Sequence, residues 1–208
     1  MPLVSSCRRV TLVIAATVVA IGATAGPALA GGAPAACPSA PVSNPFARWG
    51  DLADYSLAPE GDVESAASWS LSGGAAAVEG NETFMVTRAT DHRSMRLPAS
   101  GSATTPRMCL GVGHPTFRFF AKRSGGTSIS RLIVEVVFDD RGRELALPVG
   151  LIAAPDADTW APSVSLPTLA DRLAPLLGIA IRMSFRFTPV AGGVWSVDDV
   201  DVDPHRIG

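Results

Sequence analysis

Two stretches of this chain alternate between apolar and polar residues with period two, and that pattern constrains its fold more than any other feature. In Arg131–Phe138, Leu132, Val134, Val136 and Phe138 fall on one side, with Arg131 and Glu135 opposite. In Arg182–Phe187, Met183, Phe185 and Phe187 fall on one side, with Arg182, Ser184 and Arg186 opposite. Successive strand side chains point to opposite faces, so each stretch reads as a strand of an antiparallel sheet packed on one side. Further short apolar runs are expected as strands at Asp54–Leu57, Ser68–Leu71, Ala76–Val78, Thr83–Thr87, Ser94–Leu97, Met108–Leu110, Thr116–Ala121, Leu145–Ile152 and Trp195–Val202, with the second long strand extended to Ile179–Phe187. The turn formers between them include Gly73-Gly74, Gly80-Asn81, Gly125-Gly126, Asp139 to Gly142 and Gly192-Gly193. The expectation is an all-β fold, an antiparallel β-sandwich of jelly-roll type. One short helical turn is expected over Leu166–Leu173, with Thr168 as its N-cap and Asp171 three residues on.

The first 30 residues read as an export signal. Arg8 and Arg9 precede an uncharged, apolar run from Val10 to Gly26, and Ala28-Leu29-Ala30 supplies the small-x-small cleavage pattern. Cleavage after Ala30 leaves Gly31–Gly208, with residues 31–45 as a loose arm and 46–208 as the sandwich. The protein is expected outside the cell, with no membrane segment after cleavage. Cys7 leaves with the signal, so Cys37 and Cys109 remain in an oxidising compartment and are expected to form one disulfide.

Composition excludes several functions. The 208 residues carry 17 Lys+Arg against 19 Asp+Glu, so no basic excess exists to neutralise nucleic-acid phosphates. No zinc-binding HExxH, GxSxG elbow, phosphate-binding GxxxxGK[ST] loop or GxGxxG turn is present. His92, His114 and His205 stand in unrelated turns. A jelly-roll hydrolase or lyase would need paired carboxylates, and Glu135 with Asp139 is the nearest approach to such a pair.

The two ends of the domain carry a resemblance. Pro59-Glu60-Gly61-Asp62-Val63-Glu64 is followed by Trp69, and Trp195-Ser196-Val197-Asp198-Asp199-Val200-Asp201-Val202 closes the chain. This bracket resembles jelly-roll carbohydrate-binding modules of the galactose-binding-like kind attached to xylanases, with Val63 where those modules usually have Phe. The chain as a whole also resembles small secreted actinobacterial proteins. The resemblance implies a non-catalytic module for a glycan or cell-wall component, and a structural Ca²⁺ between the first and last strands. Glu64, Asp198 and Asp199 are then the metal candidates; the alternative is no metal, with Asp198 or Asp199 simply accepting hydrogen bonds from backbone or from an Arg. Apolar residues switch parity across Asp198-Asp199, which predicts a bulge that re-aims one carboxylate inward. Asp201 and Asp203 are expected to face solvent.

Ligand-binding candidates come from the polar sides of the strands and from one loop. Trp160, in the polar stretch Asp156–Pro162, is the candidate for an exposed sugar platform, whereas Trp69 and Trp195 are expected in the core. Arg118, Glu135, Arg182 and Arg186 are expected on one sheet's outer face. There they form either a cross-strand charge ladder or a basic groove for an anionic saccharide. A structural or interaction protein of the cell surface, with no small-molecule site, is the competing reading.

Overall fold

A computed structural model describes residues 37–154, 156–177 and 180–204. The expected signal segment and residues 31–36 of the arm lie outside these residues. Among the described residues no helix is long and apolar enough to cross a membrane.

Among the described residues thirteen strands form two sheets. One sheet runs β10 (Ala161–Pro162), β7 (Thr116–Arg123), β13 (Trp195–Val202), β4 (Arg93–Leu97) and β3 (Ala76–Glu79), with β1 (Ser56–Leu57) on β13 and β11 (Leu166–Pro167) on β7. The other runs β2 (Ser70–Ser72), β5 (Ser102–Thr104), β12 (Ala180–Val190), β8 (Arg131–Asp140) and β9 (Arg143–Ile152), with β6 (Met108–Gly111) also on β12. Every strand pair in both sheets is antiparallel. The protein is an antiparallel β-sandwich of jelly-roll type, as the alternation required.

The apolar sides of the alternating strands make the core. Leu132, Val134 and Val136 from β8 and Met183, Phe185 and Phe187 from β12 are all 0% exposed. They meet Phe117 and Phe119 of β7 across the sandwich. The Phe117 and Phe185 rings stack with centroids 3.8 Å apart, and Phe119 meets Phe187 edge to face at 4.9 Å. Burying each such ring contributes about 1.5–3 kcal/mol. Trp69 and Trp195 lie in this core, each donating its ring N–H, to the Glu60 carbonyl and to Ser130 Oγ respectively.

Local chemistry sets the connections. Arg141 and Gly142 join β8 to β9 with φ of 54° and 83°, the left-handed pair a two-residue hairpin needs. The first and last strands lie side by side: Ser56 pairs with Val202, the Ala58 N–H reaches the Val200 carbonyl, and the Val200 N–H reaches Gly61. A Cβ at Gly61 would stand 2.6 Å from the Val200 oxygen, so the close approach requires glycine. The predicted bulge is present, since β13 takes three steps from Asp198 to Asp201 while β7 takes two from Phe120 to Arg118.

The structure departs from expectation in four places. Thr83–Thr87 forms no strand, because the Glu82 carboxylate accepts the Phe84 and Val86 N–H groups that a ladder would have used. The helix α1 spans Ala170–Leu177, later than expected, and Leu166–Pro167 is strand; Thr168 Oγ1 still accepts the Ala170 N–H at 3.1 Å. The arm is tied down beyond Cys37: Ser43 and Tyr55 exchange two backbone hydrogen bonds of 2.8 Å. Finally, β5, β10 and β11 lie where the sequence alternation is too short to announce a strand.

The candidate site: an open sheet face and a buried carboxylate cluster

The outer faces of the two sheets have different fates. On β7, Phe117, Phe119 and Ala121 point into the core, so Arg118 and Phe120 point outward. That outer face is covered. Phe46, Tyr55, Phe120 and Trp160 form a second buried cluster, with Trp49 and Phe84 packed against it. Trp160 is therefore 5% exposed and no sugar platform. Its ring packs in the cluster, with Lys122 Nζ 5.0 Å from its centroid. Sequence position suggested a polar loop, but the covering segment 44–55 lies far from it along the chain.

Arg118 belongs to this covered face, not with the other three charged candidates. Its guanidinium lies 4.4 Å from the Phe46 ring centroid, donates at 2.7 Å to Asp51, and donates twice to the Ser163 carbonyl. Burial alone would raise the Asp51 carboxyl, yet hydrogen bonds from Tyr55 and Arg118 hold it below the usual value.

The outer face of the six-stranded sheet is open, and it brings three candidates together. Arg186 stands directly opposite Glu135 in the β12–β8 register, and Arg182 lies two repeats along the same side of β12, beyond Ser184 and opposite Cys109 of β6. Arg186 also donates to Thr104 Oγ1 at 3.1 Å and pairs with Glu144 at 2.5 Å. Beside them Ser102 and Thr188 share a hydrogen bond of 3.1 Å. Glu144 and Thr104 were not anticipated; the hairpin register that places Glu144 opposite Asp139 was the signal available. The face thus presents fixed donors and acceptors in rows about one strand spacing apart. Glu135 and Asp139 do not form a catalytic pair. Glu135 faces Pro148 and Arg186, while Asp139 accepts the Gly142 N–H in the turn.

The three metal candidates do not converge on one point. Glu64 turns to another segment, where its Oε1 accepts the His92 and Arg93 N–H groups at 2.7 and 2.8 Å and its Oε2 lies 2.8 Å from His92 Nδ1. Asp198 takes one backbone N–H on each oxygen, from Glu82 and from Asp199. Asp199, at the bulge with φ of 42°, accepts the Thr87 hydroxyl at 2.7 Å. Among the described residues no three His, Cys, Asp or Glu side chains are arranged to hold a metal ion.

What the bulge does create is a buried acidic cluster that sequence reasoning missed in part. Glu82, Asp91, Asp198, Asp199 and Asp201 are each at most 5% exposed, which overturns the solvent-facing expectation for Asp201. Burial, then the charge of Asp199, pushes the Asp198 carboxyl up to about 9. Burial pushes Asp199 up to about 7, with Glu82, Asp91 and Asp62 adding repulsion and the Thr87 hydrogen bond opposing. Burial also raises Asp201 and Asp91. Oδ2 of Asp91, Asp199 and Asp201 are buried without a hydrogen-bond partner. Glu82 and Asp91 sit in an aperiodic loop, so no spacing signal could have assigned them. The disulfide is as expected, with the Cys37 and Cys109 Cα atoms 5.3 Å apart.

No protein-family model matches this sequence, and none of the curated proteins does. Among solved structures, the chain is similar to the CBM22-1–GH10 modules of a Clostridium thermocellum xylanase complexed with xylohexaose, at 16% identity and a TM-score of 0.50. That match covers 68% of this chain and 27% of the other. A CBM22-2 xylan-binding domain from Paenibacillus barcinonensis matches at 13% identity and a TM-score of 0.47, over 69% of this chain and 95% of the other. A CBM61 domain in complex with β-1,4-galactotriose matches at 13% and 0.42, over 70% and 96%. None of these supports the resemblance to actinobacterial proteins. The first likeness shows the fold alone: this two-sheet antiparallel sandwich is shared with part of a chain that contains a carbohydrate-binding module.

Proposed function

We propose that this chain is an exported, non-catalytic module that binds a glycan on the open face of the six-stranded sheet. The observation that carries the reading is the asymmetry of the sandwich: one outer face is sealed by Phe46, Tyr55 and Trp160, while the other stands open with Arg182, Arg186, Glu135, Glu144 and Thr104. Paired guanidinium and carboxylate groups offer both donors and acceptors, which sugar hydroxyls need. The fold shared with a xylanase-linked module is consistent with that use. Titration with xylohexaose, backed by a glycan array, tests it. Binding should weaken at least tenfold in Arg186→Ala and stay unchanged in Trp160→Phe. A purified protein that retains no glycan at millimolar concentration refutes the reading and favours a purely structural surface protein.

A second proposal concerns Ca²⁺. The buried, partnerless Oδ2 atoms of Asp91 and Asp199 have the hard-oxygen chemistry that calcium takes. We assign these two carboxylates, rather than Glu64, as the side chains that would hold it. Calcium should then raise the melting temperature. Asp199→Asn should remove that effect, and Glu64→Ala should retain it. A melting temperature indifferent to both calcium and chelator refutes the metal.

A further inference from the structure

Where β1 and the end of β13 approach β6, the sandwich leaves a cavity of about 480 Å³. That size falls among the roughly 300–1,000 Å³ sites that take small ligands. It lies at the β6 edge of the six-stranded sheet, beside the Cys37–Cys109 disulfide, where Cys109 stands opposite Arg182. Leu57, Met108, Leu110 and Val202 supply its apolar walls. Among the described residues no Phe, Tyr or Trp lines it, so nothing there stacks on a sugar ring.

Two polar groups stand in this apolar setting. Arg107 lines the cavity, is exposed, and makes no hydrogen bond or ion pair among the described residues. Arg118 and Arg186 are engaged by carboxylates, whereas exposed Arg182, like Arg107, makes no ion pair among the described residues. His114 also lines the cavity, and burial holds its pKa below the usual value. Its Nδ1 accepts the Gly111 N–H at 3.2 Å, which leaves Nε2 as the ring's donor. A guanidinium fork matches a planar carboxylate, and walls of Leu, Met and Val match an aliphatic chain.

From this charge and shape complementarity we propose that the cavity binds an amphiphile: an unbranched aliphatic chain ending in one carboxylate. The chain lies against Leu57, Met108, Leu110 and Val202, and the carboxylate pairs with Arg107. Arg186, Glu135 and Glu144 of the glycan face do not line it.

Isothermal titration of the exported protein with hexanoate, octanoate and decanoate, each below its micelle concentration, tests the proposal. Binding should saturate at one per chain. Affinity should rise by about fourfold for each methylene buried, the factor that transfer from water supplies. Octanol, with no charge, should bind about tenfold more weakly than octanoate. Arg107→Gln should weaken octanoate about tenfold and leave octanol and xylohexaose unchanged. Ala40→Trp, which fills the cavity from an exposed lining position, should abolish octanoate binding while circular dichroism stays native. The absence of saturable decanoate binding overturns the proposal. So does decanoate binding that survives Ala40→Trp. Equal affinity for octanol and octanoate overturns the role of Arg107.

Discussion

Asp199→Asn should make this protein more stable at alkaline pH and flatten the dependence of its stability on pH. The substitution keeps an acceptor for the Thr87 hydroxyl and puts an amide donor where Oδ2 now has no partner. Asparagine also tolerates the left-handed backbone at this position. The sign follows from linkage. The folded state raises the Asp199 carboxyl from 3.8 to about 7, chiefly through burial, so between those values the folded chain binds more protons than the unfolded one. Stability is then highest at the acid end and declines as pH rises through 7. The full shift corresponds to about 4 kcal/mol, of which about 2–3 kcal/mol is lost between pH 5 and 8. Asp198, pushed up to about 9, extends the decline to higher pH. Urea denaturation in chelator at pH 5 to 9 measures it. The wild type should lose stability across the series, and the difference between Asp199→Asn and wild type should grow with pH. Parallel profiles for the two proteins, or wild-type stability that rises with pH, would refute the reasoning. Protons and calcium compete for the same oxygens, so added calcium should raise the melting temperature more at pH 8 than at pH 5.

Other outcomes follow from burial and pairing. Trp160→Ala should cost about 3–5 kcal/mol in denaturant unfolding, because it empties the cluster that seals one sheet, while glycan affinity of the folded fraction stays unchanged. Replacing Cys37 and Cys109 by Ser opens a loop of 72 residues and should destabilise the fold by up to about 4 kcal/mol, read from denaturation with and without reductant. Arg118→Met should cost about 1.5–3 kcal/mol, since Asp51 and the Ser163 carbonyl lose charge-assisted hydrogen bonds while Asp51 keeps those from Tyr55 and Ala53; the double change Arg118→Met with Asp51→Leu should recover part of that loss. Gly61→Ala should prevent the first segment from seating on β13, and should appear as loss of the native near-ultraviolet spectrum.

The strands were legible in the sequence because period two is a local property. Leu132, Val134 and Val136 announce an inner face without reference to any other segment, and the partner face then follows for Glu135 and Arg186. The bulge was equally legible, since the parity switch across Asp198-Asp199 is a break in that same local rule. The disulfide needed only a count of the two cysteines that remain beyond the expected signal segment. Alternation states that a strand has two faces, but what covers the outer one comes from residues remote in the chain. Arg118 and Glu135 look alike as polar residues on alternating strands. One lies under the 44–55 segment, the other beside open solvent. Trp160 was misjudged for the same reason. Glu82 and Asp91 carried no signal, because loop residues have no period, and their burial arises only when the bulge in β13 meets the loop that Glu82 folds around its own carboxylate.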